Sequence, residues 1–106
     1  MDKPHTYLPD LAAALPEITE NTVVSRSLYK NDKTDVTLFG FAAGQELTEH
    51  SSPYTAIIQV LEGEAQLTLG KEPVTAKAGS WILMPPGLPH SLHAANRMIM
   101  LLTIIK

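Results

Sequence analysis

The sequence predicts an all-β fold, an antiparallel jelly-roll barrel of short strands. From residue 22 onward, short apolar segments recur about every 8–12 residues, a spacing typical of β-sandwiches and barrels. Turn-forming residues such as Gly, Pro, Asn and Asp separate these segments. Only one short stretch near the N terminus has helical character. Strands are predicted over residues 22–29, 34–42, 56–61, 64–69, 74–77, 81–84, 88–94 and 97–105.

The first 21 residues are predicted to be an N-terminal extension containing a short helical turn. Asp10 can cap a turn through the alanines that follow it, and Pro16 then ends that turn. The segment is too short for more than a surface turn or an entry into the first strand.

Several connections between strands can be assigned from their turn chemistry. A polar turn over 30–33 closes the first predicted strand, and 70–73 forms another. At Glu62-Gly63 the glycine can adopt the positive φ of a tight hairpin, so we expect the flanking strands to pair there. The segment 85–87, Pro-Pro-Gly, cannot continue a ladder and is predicted to be a loop.

Composition limits the classes of function. The 106 residues suit one domain over residues 1–106; 44% are hydrophobic and 18% charged, as in ordinary globular proteins. The net charge of −3, without a basic run, argues against a nucleic-acid partner. No cysteine is present, which excludes disulfides, thiolate metal ligands and a thiol nucleophile. Neither a membrane span nor a signal-peptide pattern is evident, so the expected location is cytoplasmic.

Two predicted strands are apolar on both faces, around residues 57–61 and 98–105. A strand of an antiparallel barrel normally has one face in water, so such strands need a second cover. A second copy of the chain would supply it, which predicts a homodimer. Alternatively, the N-terminal segment around residues 8–18 folds over that face.

The first functional motif is anchored by glycines. Five residues separate Gly44 from His50, and one residue separates His50 from Ser52. Three residues then precede Ala56, and six more precede Gly63. His50 and Ser52 share a strand face because side chains alternate with a period of two. Both are therefore expected to point inward.

The second motif has a similar construction. Five residues separate Gly79 from Pro85, and one residue separates Pro85 from Gly87. Two residues then precede His90, and three more precede Ala94. At these residues the two motifs together resemble those of the cupin family, and the resemblance covers about residues 34–106. It implies a six- to eight-stranded jelly-roll barrel with a site inside its mouth.

The resemblance also implies a metal site whose ligand set is incomplete here. Three histidines and a glutamate hold the metal in typical cupins, and these positions correspond to His50, Ser52, Ala56 and His90. His50 and His90 are thus the candidate metal ligands. A serine hydroxyl is a poor ligand for Zn, Ni, Fe or Mn, and alanine is none. The pair could instead act as a metal-free acid–base or hydrogen-bonding pair, or be structural.

Other side chains near the motifs are candidates for the pocket. Ser52, Tyr54, Ala56 and Met84 are the predicted pocket residues, although barrel packing is the more ordinary role for Met84. Glu46 has the same strand parity as His50 and could supplement the ligand set.

Two further side chains are expected to point away from the pocket. Gln59 differs in parity from Ala56, and His93 lies on the opposite face from His90. Their expected positions are on the outside of the barrel.

Two hypotheses for function follow. In the first, the protein binds a small organic molecule through a weak divalent metal site and acts as a dioxygenase or isomerase. In the second, it is a non-catalytic binding or sensing module that holds a small ligand without metal.

Overall fold

The computed structural model describes residues 4–106 and confirms the all-β fold. Within this described range, one 3₁₀ turn, Ala12–Ala14, precedes nine strands. Asp10 Oδ1 accepts a hydrogen bond from Ala13 N at 3.4 Å, as its predicted capping position requires. The strands are β1 (Val23–Lys30), β2 (Thr34–Phe41), β3 (Glu46–His50), β4 (Thr55–Glu62), β5 (Glu64–Leu69), β6 (Glu72–Lys77), β7 (Trp81–Met84), β8 (His90–Ala94) and β9 (Met98–Ile105).

The strands form two antiparallel sheets that pack face to face as a jelly-roll barrel. The larger sheet has the order β1-β2-β9-β4-β7, and the smaller has the order β3-β8-β5-β6. Strands that follow one another in the chain often belong to different sheets. Both β3, which carries His50, and β8, which carries His90, belong to the smaller sheet. Within residues 4–106, no helix is long and apolar enough to cross a membrane.

The core lies between the two sheets and is built from alternate residues of each strand. On β4, Ala56, Ile58 and Val60 are buried on the inner face. Ala65 and Leu67 of β5 are buried in the same cluster. Residues that are register partners on neighbouring strands point to the same face of the sheet. The register therefore assigns a face to every residue that is paired with a core residue.

The tight hairpin predicted at Glu62-Gly63 is wrong, because β4 and β5 belong to different sheets. Gly63 has a φ of 80°, as expected, but there the chain passes from one sheet to the other. A Cβ on Gly63 would clash with the carbonyl oxygen of Arg97 and lie 2.7 Å from the Cα of Met98. The two-residue hairpin occurs instead after Leu69, which pairs with Glu72.

The N-terminal segment packs on the outer face of the larger sheet. A Cβ on Gly40 would clash with Ile18 and lie 2.9 Å from Cδ1 of Leu15. The absence of a side chain at Gly40 thus allows the segment to approach the sheet closely. Arg26 Nη1 also donates a hydrogen bond of 2.9 Å to the carbonyl oxygen of Ala14.

Candidate functional site

The two motif histidines lie directly opposite each other on neighbouring strands. His50 ends β3, His90 begins β8, and the two residues are register partners. Their ring centroids are 4.3 Å apart, and the rings meet edge to face at 60°. His90 also pairs with Leu69, a residue that packs against the core, so both imidazoles belong to the inner face of the smaller sheet.

A β-bulge in β3 is what brings His50 to this face. Leu47 pairs with Leu92 and His50 pairs with His90, so three steps along β3 match two steps along β8. The extra residue reverses the parity between Leu47 and His50. Without it, a core-facing Leu47 would leave His50 on the outside of the barrel.

The expectation that Glu46 supplements the ligand set of His50 is therefore wrong. Glu46 pairs with His93, and its Oε2 lies 3.6 Å from the Nδ1 of that histidine. Both side chains are more than half exposed. Together they lie on the outer face of the smaller sheet, as predicted for His93. Gln59 also lies on the outside, since it pairs with the exposed Trp81.

Backbone contacts fix the same tautomer for both imidazoles of the pair. His50 Nδ1 lies 2.8 Å from the carbonyl oxygen of Thr48, and His90 Nδ1 lies 2.9 Å from that of Leu88. A carbonyl oxygen only accepts hydrogen bonds, so each Nδ1 carries a proton and donates it. In a neutral ring the lone pair is then on Nε2. The site thus offers two Nε2 lone pairs, on rings whose centroids are 4.3 Å apart, as proton acceptors or metal ligands.

Two loops meet beside the pair and form this end of the barrel. Gly87 N donates a hydrogen bond of 2.8 Å to the carbonyl oxygen of Ser52, which joins the β3–β4 loop to the β7–β8 loop. The Ser52 hydroxyl accepts a hydrogen bond of 3.1 Å from Tyr54 N, a local turn contact. Tyr54 is 42% exposed.

The other two pocket candidates are part of the core. Ala56 and Met84 are register partners on β4 and β7, and each is only 2% exposed. Both belong to the cluster that fills the barrel. Both side chains are therefore engaged in packing inside the barrel.

The residues present do not complete a typical catalytic metal centre. Such centres use about three protein ligands and an open position. Among residues 4–106, no group of three or more His, Cys, Asp or Glu side chains is placed to hold a metal ion. To a metal ion the pair would supply two nitrogen ligands, fewer than such a centre uses.

A separate cavity of about 390 Å³ lies on the outer face of the smaller sheet. Neither His50 nor His90 lines it. Its polar lining side chains include Glu46, Gln66 and His93. It is thus distinct from the site at the barrel mouth.

Comparisons with known proteins agree with this fold. A conserved protein of unknown function from Streptococcus pyogenes is 34% identical, with a TM-score of 0.87, over 96% of this chain and 89% of that one. A cupin superfamily protein from Desulfitobacterium hafniense is 25% identical, with a TM-score of 0.88, over 96% and 93% of the two chains.

An enzyme shares the fold at lower identity. Salicylate 1,2-dioxygenase from Pseudoaminobacter salicylatoxidans is 17% identical, with a TM-score of 0.73, over 85% of this chain and 27% of that one. No curated protein shows a significant match. The cupin domain family itself matches residues 37–105, and the chain belongs to this family.

Proposed function

We propose that this protein binds a small organic molecule at the barrel mouth through the Nε2 atoms of His50 and His90. The observation that carries the proposal is the shared tautomer: both Nδ1 atoms lie within 2.9 Å of a backbone carbonyl oxygen. Two acceptors of this kind suit a ligand that presents an acidic O–H group, such as a phenol, or a carboxylate that binds together with one proton from solution. Transfer of that proton to an imidazole would give a charge-assisted hydrogen bond.

The site favours binding or sensing over a metal-dependent reaction. Beyond the two imidazoles, the motif positions hold Ser52, which is used in a local turn, and Ala56, which is buried in the core. Neither residue can complete a metal shell or act as an acid or base at the pair. A non-catalytic module that holds its ligand without metal is therefore the function that we propose first.

A weak divalent metal site at the same pair is the second candidate, supported by the centroid distance of 4.3 Å. Zn, Ni, Fe or Mn are the ions that imidazole nitrogens suit. His50 and His90 would hold the ion, leaving positions that a dioxygenase or isomerase would use for its substrate.

Binding measurements on protein purified without an affinity tag distinguish the two candidates. After dialysis against EDTA, calorimetry is performed with benzoate, salicylate and citrate, and separately with ZnCl₂ and NiCl₂. We expect at least one organic acid to bind the metal-free protein and to lose binding about tenfold or more in His50→Ala and His90→Ala.

His93→Ala is the matched control, because His93 lies on the outer face of the smaller sheet. It should leave binding unchanged. Organic-acid binding that appears only after stoichiometric metal is added would support the metal candidate instead. Binding that is equal in all three variants would refute a role for the pair.

A further inference from the structure

An ion pair lies on the inner face of the larger sheet. Asp35 is the register partner of Ile104, which also pairs with the core residue Ala56, so Asp35 shares their inward orientation. Lys106 follows Ile104 by two positions, and its backbone N donates a hydrogen bond of 2.8 Å to the carbonyl oxygen of Lys33. Its ammonium nitrogen is 3.1 Å from the Oδ1 atom of Asp35.

Two short connections determine which strands face each other across the barrel. β2 joins β3 through residues 42–45, and β8 joins β9 through residues 95–97. Connections this short keep the strands that they join adjacent in space, so β3 faces β2 and β8 faces β9. Gly44 N donates a hydrogen bond of 2.8 Å to the carbonyl oxygen of Ala94, so both connections lie at the same end of the barrel.

The ion pair and the two histidines lie together at the other end, the barrel mouth. Asp35 is near the start of β2, and His50 ends the facing strand β3. Lys106 follows the end of β9, and His90 begins the facing strand β8. Water reaches this end, since His50 is exposed and the side chains of Asp35 and Lys106 are 26% and 21% exposed. Each histidine therefore faces one member of the ion pair across the mouth.

The ion pair retains hydrogen-bonding capacity for a ligand. Asp35 Oδ1 is buried and accepts no aligned hydrogen bond from residues 4–106. The ammonium of Lys106 also donates a hydrogen bond of 3.3 Å to the carbonyl oxygen of Asn31. Against the described residues, these two contacts leave one of its three N–H groups for a ligand. A mostly buried ion pair adds little net stability relative to apolar residues of similar size, which favours a role in recognition.

We propose that Asp35 and Lys106 bind a hydroxyl group of the ligand that His50 and His90 hold, so that the ligand is an organic acid that also carries an alcohol. This inference rests on the proposed function of the histidine pair. A hydroxyl can donate to the carboxylate and accept from the ammonium at the same time. A second carboxylate on the ligand would be repelled by Asp35, and an ammonium would be repelled by Lys106. A neutral group therefore suits a pair whose net charge is zero.

Matched acids test this inference on the metal-free protein by calorimetry. The ligands 3- and 4-(hydroxymethyl)benzoate are compared with 3- and 4-ethylbenzoate, in which a methyl group replaces the hydroxyl. We expect at least one hydroxymethyl acid to bind about fivefold or more tightly than its ethyl analogue, as one hydrogen bond to a charged group provides.

The outcomes separate this inference from the proposed function. Hydroxymethyl acids that bind no better than their ethyl analogues would overturn the inference and leave the proposed function intact. Absence of binding by all four acids would also overturn the inference. The proposed function fails only if benzoate, salicylate and citrate do not bind either.

A double variant assigns the preference to the ion pair. Asp35→Leu with Lys106→Met leaves no unpaired charge, and it should abolish the preference while the ethyl acids still bind. The matched control is Glu62→Leu with Arg97→Met, which removes the ion pair at the other end of the barrel and should keep the preference. Circular dichroism melts identify a variant that does not fold, and the comparison of acids on the unmodified protein stands independently. A folded Asp35→Leu/Lys106→Met protein that keeps the preference would contradict the inference.

Discussion

His50 lies opposite His90 only because β3 contains one residue more than the matching stretch of β8. The bulge turns His50 to the inner face, and the edge-to-face ring contact follows from this register. The same bulge leaves Glu46 with His93 on the outside of the barrel. One extra residue thus separates a carboxylate from the imidazole with which it would otherwise share a face.

The tautomers of the pair can be measured directly. Long-range ¹H–¹⁵N correlation spectra at pH 8 should show Nδ1 protonated and Nε2 unprotonated in both His50 and His90, because each Nδ1 faces a carbonyl oxygen. Free imidazoles prefer the opposite tautomer, so His5, which has no such contact at its Nδ1 among the described hydrogen bonds, is the internal control. An Nε2–H signal for either His50 or His90 would contradict the assigned geometry.

The sequence predicted the barrel, its two motifs and the inward positions of both histidines, because alternation and turn residues are local signals. It did not predict the bulge, although it contained a clue. Leu47, an apolar residue suited to the core, and His50, predicted to point inward, lie three positions apart in the sequence. A regular strand cannot satisfy both, so this conflict is the signature of a bulge.

The other differences arise from contacts that are distant in the sequence. Glu62-Gly63 has the composition of a hairpin, but the choice of sheet for the next strand depends on pairing with β8 and β6. Likewise, the sequence does not decide whether a second copy of the chain or the N-terminal segment packs on the outer apolar face. The N-terminal segment covers one half of the outer face at Gly40, a close approach that strand periodicity does not reveal.

Gly63 should be much less tolerant of alanine than Gly79, although both have a positive φ, 80° and 95°. Gly79→Ala is expected to cost about 1–2 kcal/mol of unfolding free energy, the usual penalty for a Cβ in this region. At Gly79 a Cβ would have no heavy atom of the described part of the chain within 4 Å, whereas at Gly63 it would meet the backbone of Arg97 and Met98. Urea denaturation should therefore show a loss at least about 1 kcal/mol larger for Gly63→Ala, by overpacking. Equal losses at the two positions would show that the backbone around Gly63, where the chain passes between the sheets, shifts to accommodate a Cβ.

Gly40→Val should destabilise the protein by about 1–3 kcal/mol, because the new side chain displaces Ile18 and Leu15 from the sheet. The cost should shrink in an Ile18→Ala background, which provides the missing space. A double-mutant cycle by urea denaturation measures this coupling. If the cost of Gly40→Val were the same with and without Ile18→Ala, the N-terminal segment would not lie over this residue in solution.

Lys106 should stabilise the fold through Asp35, whose carboxylate shares the inner-face parity of Phe39 and is 26% exposed. Lys106 Nζ lies 3.1 Å from Asp35 Oδ1, and that buried oxygen accepts no aligned hydrogen bond from any residue of the range 4–106. Removing the cation in Lys106→Met should cost about 1–3 kcal/mol, since it leaves a poorly solvated charge without its partner.

Asp35→Asn should reduce the cost of Lys106→Met to a few tenths of a kcal/mol, because the unpaired charge is then absent. The matched control is Arg97→Met, which breaks an ion pair with Glu62 whose side chains are about half exposed. That change should cost less than about 1 kcal/mol. Urea denaturation at pH 7 compares all four variants. A Lys106→Met loss no greater than that of Arg97→Met would mean that water screens the Asp35 carboxylate as fully as it screens Glu62.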